Sequence, residues 1–171
     1  LTTLRLQSNG LSKVDLSLFK DLVKLEILDL EYNPITELTN SKKIIFPFMA
    51  HLYCGHSQLT SLDSNVINGL PNLLTFFVQS GYKLSPLKPN QLSAWKKLQN
   101  LGIVTKNQTS LTKEYFNGLS PLVYLSFTNS NIKTVEVHTL LSMSNLTFVD
   151  FSFNDITAFE YLQIPNKLDT L

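Results

Sequence analysis

An apolar pattern that returns every 24 or 25 residues constrains this chain more than any other feature. Its clearest copy is Leu25–Ile35, LEILDLEYNPI, where Leu25, Leu28, Leu30 and Ile35 are apolar and Asn33 is polar. The same register starts at Leu1, Leu25, Met49, Leu73, Leu98, Leu122 and Leu146, with a partial unit from Leu168. The fourth and sixth positions are apolar throughout: Leu4/Leu6, Leu28/Leu30, Leu52/Cys54, Phe76/Val78, Leu101/Ile103, Leu125/Phe127 and Val149/Phe151. This period-two alternation predicts a short strand with one buried face. A unit so small cannot bury that face alone, so neighbouring copies must stack and share one core. The expected fold class is an α/β, right-handed solenoid. Its parallel sheet lines the concave side, and loops or short helical turns form the convex side.

The second half of the unit carries a three-residue apolar spacing, in Phe19/Leu22, Ile67/Leu70, Phe116/Leu119 and Leu140/Met143, with Leu92/Trp95 one residue later. That spacing suits a helical turn with one apolar edge. The ninth position reads Asn9, Asn33, Ser57, Gly81, Lys106, Ser130 and Asn154. An inward side chain there can bond the neighbouring turn, where an unpaired buried group would cost roughly 1–3 kcal/mol. Asn9, Asn33, Ser57, Ser130 and Asn154 are thus expected to form a structural ladder, which Gly81 and Lys106 interrupt. Lys83 and Gln108 also replace the apolar eleventh residue, while Leu84 and Leu111 come later, so the ascending loops there must be remodelled. The stretch Ser80–Asn90 holds two prolines and a glycine. The register resumes at Leu98, so residues 1–171 read as one repeat domain with a protruding loop or a local change of curvature.

The motif at Leu25–Ile35 and the lead-in F-x-x-L-x-x-L at Phe19–Leu25 and Phe116–Leu122 resemble the leucine-rich repeats of extracellular animal proteins. Irregular units and aromatics in leucine slots resemble a Toll-like receptor ectodomain. That resemblance implies a horseshoe segment that binds a microbial ligand and pairs, as a homo- or heterodimer, with a second horseshoe. It also implies an extracellular or endosomal-lumen location, with the membrane reached only through parts of the parent chain outside this segment. A secreted repeat protein of matrix or adhesion and an intracellular repeat scaffold share the unit and remain alternatives. Leu1 already occupies a repeat position, and an uncapped internal segment is the expectation. Two sequons, Asn107–Gln108–Thr109 and Asn145–Leu146–Thr147, are expected to carry N-glycans.

Chemistry is sparse. Net charge is +1, with three histidines and a single cysteine, and no zinc-ligand spacing, phosphate loop or nucleophile elbow occurs. Cys54 stands in a leucine slot and reads as a small buried hydrophobe. No enzyme, cofactor or metal is expected, and no apolar run approaches the roughly 18 residues of a membrane span.

Binding is the remaining class. The third, fifth, seventh and eighth residues of each unit are expected on the concave face, where Tyr53, Phe77, Tyr124 and Phe148 would form an exposed ridge. His51 and His56 fall near Glu31 and Tyr32, and Tyr82 and Lys83 lie in the irregular loop. Ligand contact is therefore expected to centre on His51, Tyr53, His56, Phe77, Tyr82 and Lys83. Lysines cluster off the strands, at Lys42/Lys43, Lys83/Lys88 and Lys96/Lys97/Lys106. The strand positions carry only Arg5 against Asp29, Glu31 and Asp150, which disfavours a nucleic-acid groove there and leaves one on a flank open.

Overall fold

The computed structural model describes residues 1–79, 83–157 and 165–170. In chain order its strands are β1 (Thr3–Arg5), β2 (Lys13–Asp15), β3 (Ile27–Asp29), β4 (Glu37–Thr39), β5 (His51–Tyr53), β6 (Thr75–Val78), β7 (Asn100–Ile103), β8 (Ser110–Leu111), β9 (Tyr124–Ser126), β10 (Thr134–Val135) and β11 (Phe148–Asp150). One helix, α1 (Ser64–Gly69), and two 3₁₀ turns, Leu16–Phe19 and Lys113–Phe116, complete the elements among the described residues. The main sheet has seven strands in the order β1-β3-β5-β6-β7-β9-β11, all parallel. Its register runs Thr3, Ile27, His51, Thr75, Asn100, Tyr124 and Phe148, with a final bridge to Thr170. The chain is a parallel-sheet solenoid of the expected class.

The leucine slots fill a single core. Leu25, Leu28, Leu30 and Ile35 are fully buried, as are Leu122, Leu125, Phe127 and Ile132 in the sixth repeat. Each such side chain contributes about 1.5–3 kcal/mol relative to exposure. Leu84 and Leu111 are buried where the apolar eleventh residue was displaced. On the convex side, Ile67 of α1 and Leu70 at its C-cap reach the core, and the helix's N-cap Asp63 accepts from the Asn65 and Val66 N–H groups. Trp95 packs on Phe76 at 4.8 Å between ring centres, and its indole N–H donates to the Ile67 carbonyl at 3.0 Å. Two small parallel pairs, β2–β4 and β8–β10, form a second row of strands away from the main sheet.

The ninth-position ladder is uneven. Asn33 Nδ2 donates to the Leu6 and Leu30 carbonyls at 2.7 and 3.0 Å, while Oδ1 accepts from the Asn9 and Leu11 N–H groups. Asn154 repeats this on Phe127, Phe151, Ser130 and Ile132. Ser130 Oγ accepts from the Thr105 N–H and donates to the Thr128 carbonyl. Two positions depart from expectation. Asn9 is exposed and bonds its own Gln7 carbonyl, so it is held by the ladder rather than holding a turn. Ser57 is buried and its hydroxyl has no hydrogen-bond partner, so it does not tie the neighbouring turn as Ser130 does.

The interruption at Lys106 is repaired two residues on. Lys106 is exposed, while Gln108 is buried, its Oε1 accepting from Leu87 N–H at 2.8 Å and its Nε2 donating to the Ser110 carbonyl at 3.0 Å. The left-handed turn moves by the same two residues, to Asn107 at φ 59°, so Gln108 follows it as Asn33 follows Tyr32 at φ 56°. Sequence reasoning saw the gap and missed its filler. Gly81, the other interruption, lies outside the described residues.

Candidate functional site

Positions three and five of the strands stand on the concave face, and their aromatics form a continuous row. Ring centres are 6.2 Å apart for His51–Tyr53, 6.1 Å for Tyr53–Phe77, 5.8 Å for Phe77–Tyr124 and 4.6 Å for Tyr124–Phe148. The first, second and fourth pairs are stacked and the third is edge-on. Phe77 reaches Tyr124 across an intervening strand because that strand offers Gly102, where a Cβ would lie only 2.3 Å from the Phe77 ring. All four ridge aromatics are half-buried, each covered on its flanks by the next. His51 adds a buried Nδ1 that has no hydrogen-bond partner. Tyr53 has its phenol pKa raised, first by burial and then by the carboxylates of Asp29 and Glu31.

Beside the ridge, the small side chains of repeats five and six leave an open hollow of about 420 Å³. Its polar lining includes Gln79, Ser126, Thr128 and Asp150, and His56 and Phe153 stand at its rim. The Asp150 carboxylate is oriented by accepting from the Ser152 N–H at 2.9 Å, and Asp29 does the same with Glu31 N–H at 3.1 Å. Position eight lies just past each strand, and His56, Asn129 and Phe153 from it line the hollow. Ser8, Tyr32, His56, Asn129 and Phe153 adopt left-handed backbone, φ 52–59°, where the chain leaves the strand. Side chains other than glycine are uncommon there. Tyr32 and His56 stack on each other at 4.1 Å, and Phe153 is 83% exposed.

Of the residues expected at the site, His51, Tyr53 and Phe77 therefore come together, and His56 stands at the rim on Tyr32. Lys83 lies apart on the ascending loop, its Nζ donating to Gln58 Oε1 at 2.9 Å. Tyr82 lies outside the described residues. Sequence reasoning placed Tyr124 and Phe148 on the ridge but left them out of the contact set. The 24-residue register alone makes them neighbours of Phe77. Asn107 and Asn145 are both exposed, and Asn145 Oδ1 accepts from Lys167 Nζ at 3.1 Å. Cys54 is fully buried, which pushes its thiol pKa well up. Among the described residues no His, Cys, Asp and Glu group could hold a metal ion, and no helix is long and apolar enough to cross a membrane.

Comparison with known proteins adds to this geometry. The leucine rich repeat family matches residues 1–41 and 96–156. The chain is 29% identical over 188 aligned positions to Toll-like receptor 3 of Bos taurus, covering 99% of this chain and 21% of that protein. It thus spans about a fifth of that relative's length. Among solved structures it resembles the TLR13 chain crystallised as a TLR13–ssRNA13 complex, with a TM-score of 0.79 at 19% identity, over 94% of this chain and 22% of that one. It also resembles internalin C2 of Listeria monocytogenes, with a TM-score of 0.67 at 21% identity, over 99% of this chain and 78% of that one. The register, the shared core and these matches agree: the chain belongs to the leucine-rich repeat family and resembles a segment of a Toll-like receptor ectodomain.

Proposed function

We propose that this chain is a ligand-recognition stretch of a pattern-recognition receptor of the Toll-like kind, serving innate immunity by non-catalytic binding. The observation that carries the reading is the row of half-exposed rings from Tyr53 to Phe148. Aromatics on a solvated sheet face are costly to leave bare, and such surfaces commonly bind. Similarity to a Toll-like receptor over nearly the whole chain supports the same reading. In it, His51, Tyr53, His56 and Phe77 contact ligand, Tyr124 and Phe148 extend the contact, Lys83 serves from the flank, and Tyr82 is a further contact. Asn107 and Asn145 carry N-glycans in an extracellular or endosomal lumen. The parent chain supplies the membrane anchor and pairs with a second receptor chain.

The test is reporter activation by the parent receptor after Tyr53→Ala/Phe77→Ala and, separately, after Lys83→Ala/Lys88→Ala, with expression and thermal stability held equal. Loss with the ring pair alone supports the concave face. Loss with the lysine pair alone, joined to a steep fall in affinity with salt, would move binding to the flank and to a phosphate backbone. An unchanged response in both variants puts the site outside repeats three to five.

A further inference from the structure

The ridge and the charges beside it together select a ligand class. At one end, Tyr53 pairs in register with Asp29, and Glu31 follows two residues on. At the other, Phe148 and Asp150 stand on the same face of β11, and Tyr124 is the register partner of Phe148. Each end thus couples an aromatic face to a fixed carboxylate. The concave strand positions carry no lysine, and Arg5 lies on β1 at the sheet's edge. An anionic ligand would be repelled by these carboxylates, whereas a cation over an aromatic face gains from both the ring quadrupole and the neighbouring charge. The hollow beside Tyr124 is in the size range that holds one long side chain, and its hydroxyl and amide lining can accept hydrogen bonds from an ammonium or guanidinium.

We propose that the concave face between β5 and β11 docks a cationic polypeptide segment in extended form, with one basic side chain over Tyr53 beside Asp29 and Glu31 and another over Tyr124 and Phe148 beside Asp150. This rests on the concave-face reading above and names its ligand. Through Phe77 the ring centre of Tyr53 lies at most about 12 Å from that of Tyr124, and Phe148 lies 4.6 Å beyond, a span to the middle of the Tyr124–Phe148 pair that an extended chain covers in about four residues. Basic residues four apart are therefore the preferred pattern, with apolar residues between them resting on Phe77 over Gly102.

The test uses the full chain and three probes. One is a labelled peptide of alternating serine and leucine with arginines four apart, the second its twin with glutamates there, and the third a single-stranded oligonucleotide of similar length. The arginine peptide is expected to bind, and Asp150→Asn to weaken it about fivefold or more. That variant keeps the oxygen that accepts from Ser152 N–H, so folding should be preserved. Phe148→Leu should weaken binding similarly by removing the ring face while keeping apolar bulk. If either variant melts early, Asp29→Asn/Glu31→Gln serves at the other end. Equal binding of the glutamate twin, preference for the oligonucleotide, or binding that ignores these substitutions overturns the proposal. Should the ridge variants silence the parent receptor while the arginine peptide fails to bind, the ligand class falls and the concave-face reading stands. Should the peptide bind while the ridge variants leave the response intact, the docking stands and that reading falls.

Discussion

Asn33 and Ser57 occupy the same slot in adjacent repeats and do different work. Asn33 satisfies backbone groups of two turns, so Asn33→Ala should destabilise the chain by roughly 1–3 kcal/mol in chemical denaturation. Ser57→Ala removes a buried hydroxyl that has no partner and should be close to neutral. Gln108→Ala should fall with Asn33→Ala, and Lys106→Ala with Ser57→Ala, since the buried acceptor for Leu87 N–H is Gln108 and Lys106 is exposed. Equal losses at Lys106 and Gln108 would refute the shifted ladder. Asp15 adds a pH effect of known sign. Its carboxylate accepts from Ser41 Oγ at 2.5 Å and from the Ser17 and Ser41 N–H groups, and the Ser41 hydroxyl bond leads in lowering its pKa from 3.8 to about 2. A folded-state pKa below the unfolded one stabilises above the unfolded value and loses that stabilisation as pH falls through the folded one. Thermal melts of the chain and of Asp15→Asn should therefore differ above about pH 4 and converge as pH falls toward 2, by a small margin because the group is near solvent.

At the scale of the strand, Gly102 decides whether the ridge is continuous. A methyl group there would meet the Phe77 ring at 2.3 Å and the Gln79 amide at 2.7 Å. Gly102→Ala should swing Phe77 aside and part it from Tyr124, at a cost of about 1–3 kcal/mol where the ring cannot yield freely. Ligand affinity should drop more than the melting temperature does, and a binding curve beside a melt checks this. Strand positions were legible in the sequence because the repeat length fixes register, and alternation fixes which side faces the core. Tyr53, Phe77, Tyr124 and Phe148 could be aligned for that reason. The Gln108 filler was not legible, because the period does not reveal that repeat five keeps Thr105 buried and takes its left-handed turn at Asn107, φ 59°. Nor was the turning role of position eight, since Tyr32 and Phe153 are residues that rarely take such backbone. The β2–β4 and β8–β10 pairs were also missed, because two- and three-residue strands carry too few alternations to be read.

Across the whole molecule, each repeat bonds chiefly its neighbours, with Gln79 and Phe77 reaching Ser126 and Tyr124 across repeat five as an exception, so stability is largely a chain of local couplings. Hydrogen exchange should be slowest in β6 and β7, which have partners on both sides, and faster in β1, which has a partner on one side. Uniform protection along the sheet would show the repeats unfolding as a single unit. The second row of strands divides this chain of couplings unevenly. Repeats one and two are joined along both rows by β1–β3 and β2–β4, and repeats five and six by β7–β9 and β8–β10. Among the described residues, the joints from repeat two to repeat five are strand-paired along the main sheet alone. Treated as a spring, the solenoid has two stiff coils separated by softer ones. A pull along its length should strain the softer joints, those at Tyr53 and Phe77 among them, before the stiff ones, so bending and ligand contact would draw on the same joints.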